Sequence, residues 1–333
     1  MRKRSEGRPV IGVALGSGAA RGWAHVGVLE ALDELGVEVT VQAGCSVGAL
    51  VSAARHLGIW EEFQRWAVGI GSFASWSSFA YGFGRGGLVD PGPAFEAFRE
   101  HDRLIEDLDR PWGAVATDLA TGQEVWLTRG SVLDACRASA AVPMLLHAAQ
   151  HQVGDKVRWL IDGAATNPVP VSLARALGAD RVISVDLNTT GRVLERFDRP
   201  TGRAVVPVEM PHIPGETIMP RSVADFLKGT KNTIDRELAM MKAKSAAQPH
   251  FLETVVATLD IVQAQLSEAR AQIEVADVRI TPDMADCPPG AFDRFEDYRG
   301  IGYEATMALS DEIEALVSPD GADSAGAADR GRL

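Results

Sequence analysis

The sequence predicts an α/β fold: a doubly wound or three-layer α/β/α sheet with a helical C-terminal extension. Three observations predict it. Strand-patterned runs alternate with helix-patterned runs from residue 10 to about residue 188. Two strand-to-helix turns, Gly16-Ser17-Gly18-Ala19-Ala20-Arg21-Gly22 and Gly44-Cys45-Ser46-Val47-Gly48, are built from small residues that allow a sharp reversal. Beyond residue 220 the strand signal fades, and two long helix-patterned stretches take over.

Taken in order, residues 10–15 form an apolar strand that runs into the first glycine-rich turn. A helix follows, with Ala24, Val28, Ala31, Leu32 and Leu35 on one stripe and Gly36 at its end. Residues 37–43 alternate like a short strand and enter the second turn, after which residues 46–57 read as a buried helix stopped by Gly58. Residues 113–117 and 181–185 are two further core strands, and 157–161 reads as a buried strand. Ser131 and Asp134 have capping-box spacing for a helix reaching Ala141. The chain divides near residue 188. A polar, proline-rich loop is expected over 189–220, helices over 222–246 and 251–274, a last strand at 278–280, and a disordered tail over 318–333.

The chemistry concentrates at three strand ends. Gly44-Cys45-Ser46-Val47-Gly48 reads G-x-S-x-G between a strand and a helix, the setting of a nucleophile elbow. Ser46 then stands at a helix N-terminus, where amide groups favour negative charge. A simple N-cap serine is the alternative. The Gly16–Gly22 turn lacks the small residue a dinucleotide site wants at Arg21, and the second strand does not end in an acid. No Gly-Lys-Ser/Thr follows, so a phosphate loop fails too. The remaining reading is an oxyanion hole in which the amides of Gly16, Ser17, Gly18 and Ala19 face an ester carbonyl oxygen. Asp162, followed by Gly163 and Ala164, comes directly after the strand at 157–161 and is the expected general base; a turn aspartate is the plainer alternative.

In that order, these three motifs resemble the signatures of the patatin-like phospholipases. Arg137-Ala138-Ser139-Ala140-Ala141-Val142-Pro143 and Asn167-Pro168-Val169-Pro170-Val171 are similar to two further stretches of that family. Gly-Trp-Ala-His at 22–25 and Arg85-Gly86-Gly87-Leu88 resemble its small bacterial RssA-type branch. The resemblance is dense from about residue 10 to 190. It implies a patatin-like α/β/α core, a Ser46–Asp162 dyad instead of a triad, and hydrolysis of lipid carboxyl esters. Arg21, Gly22, Gly44, Gly48, Gly163 and Ala164 support the motifs. No metal or organic cofactor is implied. A non-catalytic regulatory or scaffold member of the family is the competing reading.

Composition narrows the class. A net charge of −12 argues against nucleic acid as a partner and against strong docking on anionic lipid. Cys45, Cys136 and Cys287 have no metal-ligand spacing, which fits a reducing, cytoplasmic setting. The basic residues 1–9 lead into no apolar signal core, and no run approaches a membrane span. Partners expected are a lipid or ester substrate, transient contact with a membrane surface and a second copy of the chain. None of the seven histidines sits in a motif that fixes it as a base. His25 reads as a packed helix residue, and His147 and His151 as loop residues. The stretch 60–83, dense in Trp and Phe, fits a packed helical subdomain and an acyl-binding wall or lid equally well.

Overall fold

The computed structural model describes residues 9–69, 87–89, 98–153, 156–188 and 251–318. The expected basic arm (but for Pro9), the loop over 189–220, the helix over 222–246, the tail (but for Ser318), the Arg85-Gly86 pair and the aromatics from Phe73 to Phe83 lie outside the described residues.

The strands are β1 (Ile11–Leu15), β2 (Val39–Cys45), β3 (Gly87–Val89), β4 (Trp112–Asp118), β5 (Glu124–Leu127), β6 (Met144–Leu146), β7 (Ala149–Val153), β8 (Lys156–Asp162), β9 (Arg181–Val185) and β10 (Val278–Ile280). The helices are α1 (Ala24–Glu34), α2 (Val47–His56), α3 (Trp60–Gly69), α4 (Val132–Ser139), α5 (Val171–Ala176), α6 (Phe251–Ala271), α7 (Phe295–Met307) and α8 (Ser310–Val317). The main sheet runs β10-β9-β1-β2-β4-β8-β7, with β5 also on β4; β3 and β6 form a separate parallel pair. The strands β10, β9, β1, β2 and β4 are parallel, whereas β5 and β8 run antiparallel to β4, and β7 antiparallel to β8.

Period-2 alternation in β1 sets up the layers. Ile11, Val13 and Leu15 pack with Val28, Leu29 and Leu32 of α1 on one face. Ala14 packs with Leu173 and Ala174 of α5 on the other. Helices on both faces of a largely parallel sheet make the three layers. Caps agree with the sequence: Ser131 Oγ accepts from Asp134 N at 3.0 Å, and Gly36 sits past α1 at φ 69°, a left-handed backbone glycine adopts without strain.

The strand at 156–162 is less buried than its apolar letters suggest. Val157 is 55% and Trp159 49% exposed, while Leu160 is fully buried. One face of β8 meets the core and the other meets solvent, as antiparallel strands allow. His151 lies within β7 and not in a loop. In the first part of the aromatic-rich stretch, Phe63 is core: its ring lies 6.1 Å from Trp23, and Trp66 lies 5.6 Å from Phe98.

The contact pattern places Met1–Gly191 together with Val262–Leu333 in one compact unit, and Arg192–Ile261 in another. The segment from Val262 onward therefore belongs with the sheet. Its strand β10 pairs with β9, and α7 lies across α1. Glycine permits that crossing. A Cβ on Gly27 would stand 1.9 Å from Arg299 O, and one on Gly302 would stand 2.0 Å from Ala24 O.

Candidate active site

Ser46 leaves β2 in a conformation a side chain rarely adopts, φ 55° and ψ −123°. Holding it there costs about 1–3 kcal/mol, which the surrounding packing must supply. The two flanking glycines make this possible by close approach. A Cβ on Gly44 would stand 2.4 Å from Ala49 Cα, and one on Gly48 would stand 2.2 Å from Leu15 O. The Ser46 N–H donates to Ser139 Oγ at 2.9 Å, so α4 fixes the elbow from its last residue.

Sheet topology brings Asp162 to the serine. β2 and β5 pair with overlapping residues of β4, and so do β5 and β8; with only two edges to a strand, β2 and β8 must share one. Register then sets them end to end. Cys45 pairs with Val115, and the next residue of β4, Ala116, pairs with Asp162. Both chains leave the sheet at this junction, carboxyl end to carboxyl end. There Ser46 Oγ donates to Asp162 Oδ2 at 2.6 Å.

The aspartate is held on every side. Its Oδ1 accepts from Ala164 N at 2.8 Å, and its carbonyl oxygen accepts from Thr117 Oγ1 at 3.0 Å. Gly163 must be small here, since a Cβ would stand 2.2 Å from Val115 O. Ser46 is 5% and Asp162 4% exposed. Burial disfavours the carboxylate and pushes the Asp162 pKa up to about 6, although the hydrogen bonds from Ser46 and Ala164 oppose the rise.

The glycine-rich turn lies beside this pair, with one correction. The Gly16 and Ser17 N–H groups are engaged by Val185 O at 3.0 Å and Pro168 O at 2.9 Å. They anchor the turn and have no hydrogen left for a substrate. The amides of Gly18 and Ala19 have no acceptor among the described residues. The expected four donors thus narrow to two. Ala19 has φ 51°, and among the described residues Ala19 and Ser46 are the two non-glycine residues with positive φ. Strained backbone therefore collects on both sides of the site.

Beneath the turn, His25 Nε2 lies 2.7 Å from Gly16 O, so that nitrogen carries the proton. Burial lowers the His25 pKa to about 4, and the ring stays neutral at pH 7. His25 is the packed helix residue its position suggested. His56, also lowered to about 4 by burial, His101, His147 and His151 make no hydrogen bond to Ser46 or Asp162; His212 and His250 are outside the described residues. Arg21 is buried, and its Nε donates to Cys287 O at 2.7 Å. Gly22 lets Val47 in, where a Cβ would stand 2.2 Å from either Val47 Cγ.

Two residues that hold the site had no assigned role in the sequence. Ser139 was visible only as part of the Ala-Ser-x-Ala-x-Pro stretch, and Thr117 as one letter of a core strand. Their pairing with Ser46 N and Asp162 O depends on packing between distant segments. Among the described residues no His, Cys, Asp and Glu cluster could hold a metal ion, and no helix is long and apolar enough to cross a membrane.

Residues 13–175 match the patatin-like phospholipase family. An uncharacterised NTE family protein of Mycobacterium tuberculosis is 36% identical over 190 residues, covering 56% of this chain and 52% of that protein. A lysophospholipase nte1 of Neurospora crassa is 25% identical over 305 residues, covering 88% of this chain but 18% of the relative. A patatin-like phospholipase domain-containing protein of Caenorhabditis elegans is 33% identical over 192 residues, 54% of this chain and 14% of that one. The chain thus spans about half the length of the mycobacterial relative. These relatives do not single out the RssA-type branch. The three motifs all fall within the matched segment, so the chain carries a patatin-like phospholipase domain over residues 13–175.

Proposed function

We propose that this chain is a serine acyl hydrolase that cleaves carboxyl esters of lipids, glycerophospholipids or lysophospholipids, through the Ser46–Asp162 dyad. The observation that carries this reading is the 2.6 Å hydrogen bond from Ser46 Oγ to Asp162 Oδ2, made by a buried serine in a strained strand-to-helix turn.

Ser46 Oγ attacks the ester carbonyl carbon, and its proton passes to Asp162 Oδ2. The carbonyl oxygen becomes an oxyanion facing the free amides of Gly18 and Ala19. Such donors contribute roughly 3–4 kcal/mol each where they have been removed singly. The ester C–O bond breaks, and the leaving alcohol takes the proton back from Asp162. Water then gives a proton to the same carboxylate and attacks the acyl-serine; the acyl–Oγ bond breaks, the carboxylic acid leaves, and the proton passes from Asp162 to Ser46 Oγ. A carboxylate with a pKa of about 6 is a stronger base than one at the ordinary value of 3.8. It remains weak against an alcohol, so the reaction depends on the buried setting and the oxyanion donors. The protein would meet its substrate at a lipid surface. The relative named a lysophospholipase supports the lipid class.

A fluorophosphonate tests the reading directly. Ser46 Oγ should displace fluoride at phosphorus and leave a phosphonylated peptide containing residue 46. Lipid profiling of the purified chain against Ser46→Ala then identifies the ester. Labelling that survives Ser46→Ala would place the nucleophile elsewhere.

A further inference from the structure

Helix α6 turns polar side chains inward where a core helix would carry apolar ones. Gln263, Ser267 and Arg270 are four and three residues apart and share one helical face. Ser267 is 3% exposed, whereas Val262 is 53% exposed. This segment lies wholly beyond the family match, which ends at residue 175.

Its N-terminal side reaches the oxyanion turn. Gln263 Oε1 lies 3.3 Å from Ser17 Oγ. Ser267 Oγ donates to Asp186 Oδ2 at 2.5 Å, and Arg279 Nη2 from β10 donates to the same oxygen at 2.8 Å. Asp186 Oδ1 accepts from Asn188 N at 2.9 Å, and Asn188 Oδ1 lies 3.3 Å from Ser17 Oγ. Asp186 directly follows Val185, the residue whose carbonyl anchors Gly16 N.

Its C-terminal side reaches the segment after Asp162. Arg270 Nη1 donates to Thr166 O at 3.0 Å, and Nη2 donates to Glu124 Oε2 at 3.1 Å. Glu124 Oε1 in turn accepts from Asn167 Nδ2 at 2.8 Å. Thr166 Oγ1 is 2.9 Å from Thr117 Oγ1, the hydroxyl that donates to the Asp162 carbonyl. One helical face therefore touches both halves of the catalytic apparatus.

We propose that residues 262–271 are a positioning brace that fixes the oxyanion turn relative to the dyad acid, through Ser267 at one end and Arg270 at the other. The proposal rests on the acyl-hydrolase reading above. Directional hydrogen bonds from one helical face, buried at Ser267–Asp186 and half-buried at Arg270, admit fewer arrangements than apolar contacts and so hold their members more tightly. Tightness matters because a misplacement of about 1 Å can cost about a hundredfold in rate.

The test uses the full chain, p-nitrophenyl butyrate as substrate and a fluorophosphonate to count competent Ser46 sites. Variants are Ser267→Ala, Arg270→Met and Arg270→Lys. Per titrated site, kcat should fall about 10-fold or more in the first two, with KM within about twofold, and Arg270→Lys should recover part of the loss. A helix with only a structural role would lower the number of competent sites and leave kcat per site unchanged, and that outcome overturns the brace. Should Arg270→Met fail to fold, the half-buried Gln263→Ala replaces it, with an expected loss in kcat per site of about threefold or more. A wild-type chain that neither labels at Ser46 nor hydrolyses the ester overturns the hydrolase reading and the brace with it. A working wild type with unchanged variants overturns the brace alone.

Discussion

The segment 13–175 and the segment 262–318 both bury polar side chains, but for different purposes. In the first, Ser46 and Asp162 sit at strand ends and bond to each other through Oγ and Oδ2. In the second, Ser267 sits on a helix and bonds Asp186 at the end of β9, and the half-buried Arg270 bonds Thr166 in the segment after Asp162. The first segment uses glycine to let the turn around Ser46 pack tightly on neighbouring backbone, at Gly44 and Gly48; the second uses it to let α7 close on α1, at Gly302. The proposed reactive pair and the proposed brace thus lie in separate stretches. A motif search finds the first and passes over the second.

The largest expected effect would break the comparison at its reactive end. Ser46→Ala should remove fluorophosphonate labelling and lower ester hydrolysis by about 10⁴-fold or more, with an unchanged circular dichroism spectrum. Activity above a hundredth of wild type would mean that the first segment does not hold the nucleophile.

Asp162→Asn comes next. Asn cannot accept the serine proton, and kcat should fall about 10³-fold or more while the protein stays folded. Single substitution of each of the seven histidines should leave activity within a few-fold. One histidine variant as inactive as Asp162→Asn, and still folded, would turn the dyad into a triad.

The pH profile sharpens the same point. Asp162 must be unprotonated to take the serine proton, and burial raises its pKa to about 6. Activity should therefore hold above that pH and fall on acidification, by about tenfold per pH unit well below it. An acid limb centred near 4 would mean that the site is wetter than its burial indicates.

The frame gives smaller effects, read in stability. Gly302→Ala would press a Cβ to 2.0 Å from Ala24 O, forcing α7 off α1. Thermal melting should show a loss of about 1–3 kcal/mol. Ser139→Ala leaves the buried Ser46 N–H without its acceptor and should cost about 1–3 kcal/mol, together with a fall in kcat. If Ser139→Ala melted lower but kept its full kcat, the elbow would hold itself without α4.

Ser46 and Asp162 were legible as candidates because each rests on a local pattern. Gly44 to Gly48 can form a tight strand-to-helix turn from five letters alone, and the strand before Asp162 marks a sheet end. Strand β9, from Arg181 to Val185, was readable in full because a run of β-branched residues buried on both faces has few alternatives. The exposed face of β8 was not readable, since Val157 and Trp159 spell a buried strand whether or not a helix covers them. Nor was the separation of the four turn amides into two anchors and two free donors, because Val185 and Pro168 lie over 150 residues away.

By itself, then, the sequence determined the local conformations and the candidates for the chemistry: a serine in a sharp turn, an acid at a strand end, a glycine-rich turn between strand and helix. Tertiary structure alone decided that β2 and β8 meet end to end on one edge of β4, and so that Ser46 and Asp162 touch. It also decided that a polar helical face from residue 263 onward grips both loops. Local steric and hydrogen-bonding rules act over a few residues and can be read from neighbouring letters. Strand register and the partners of buried polar groups depend on which distant segments pack together, and that choice is made only when the whole core closes.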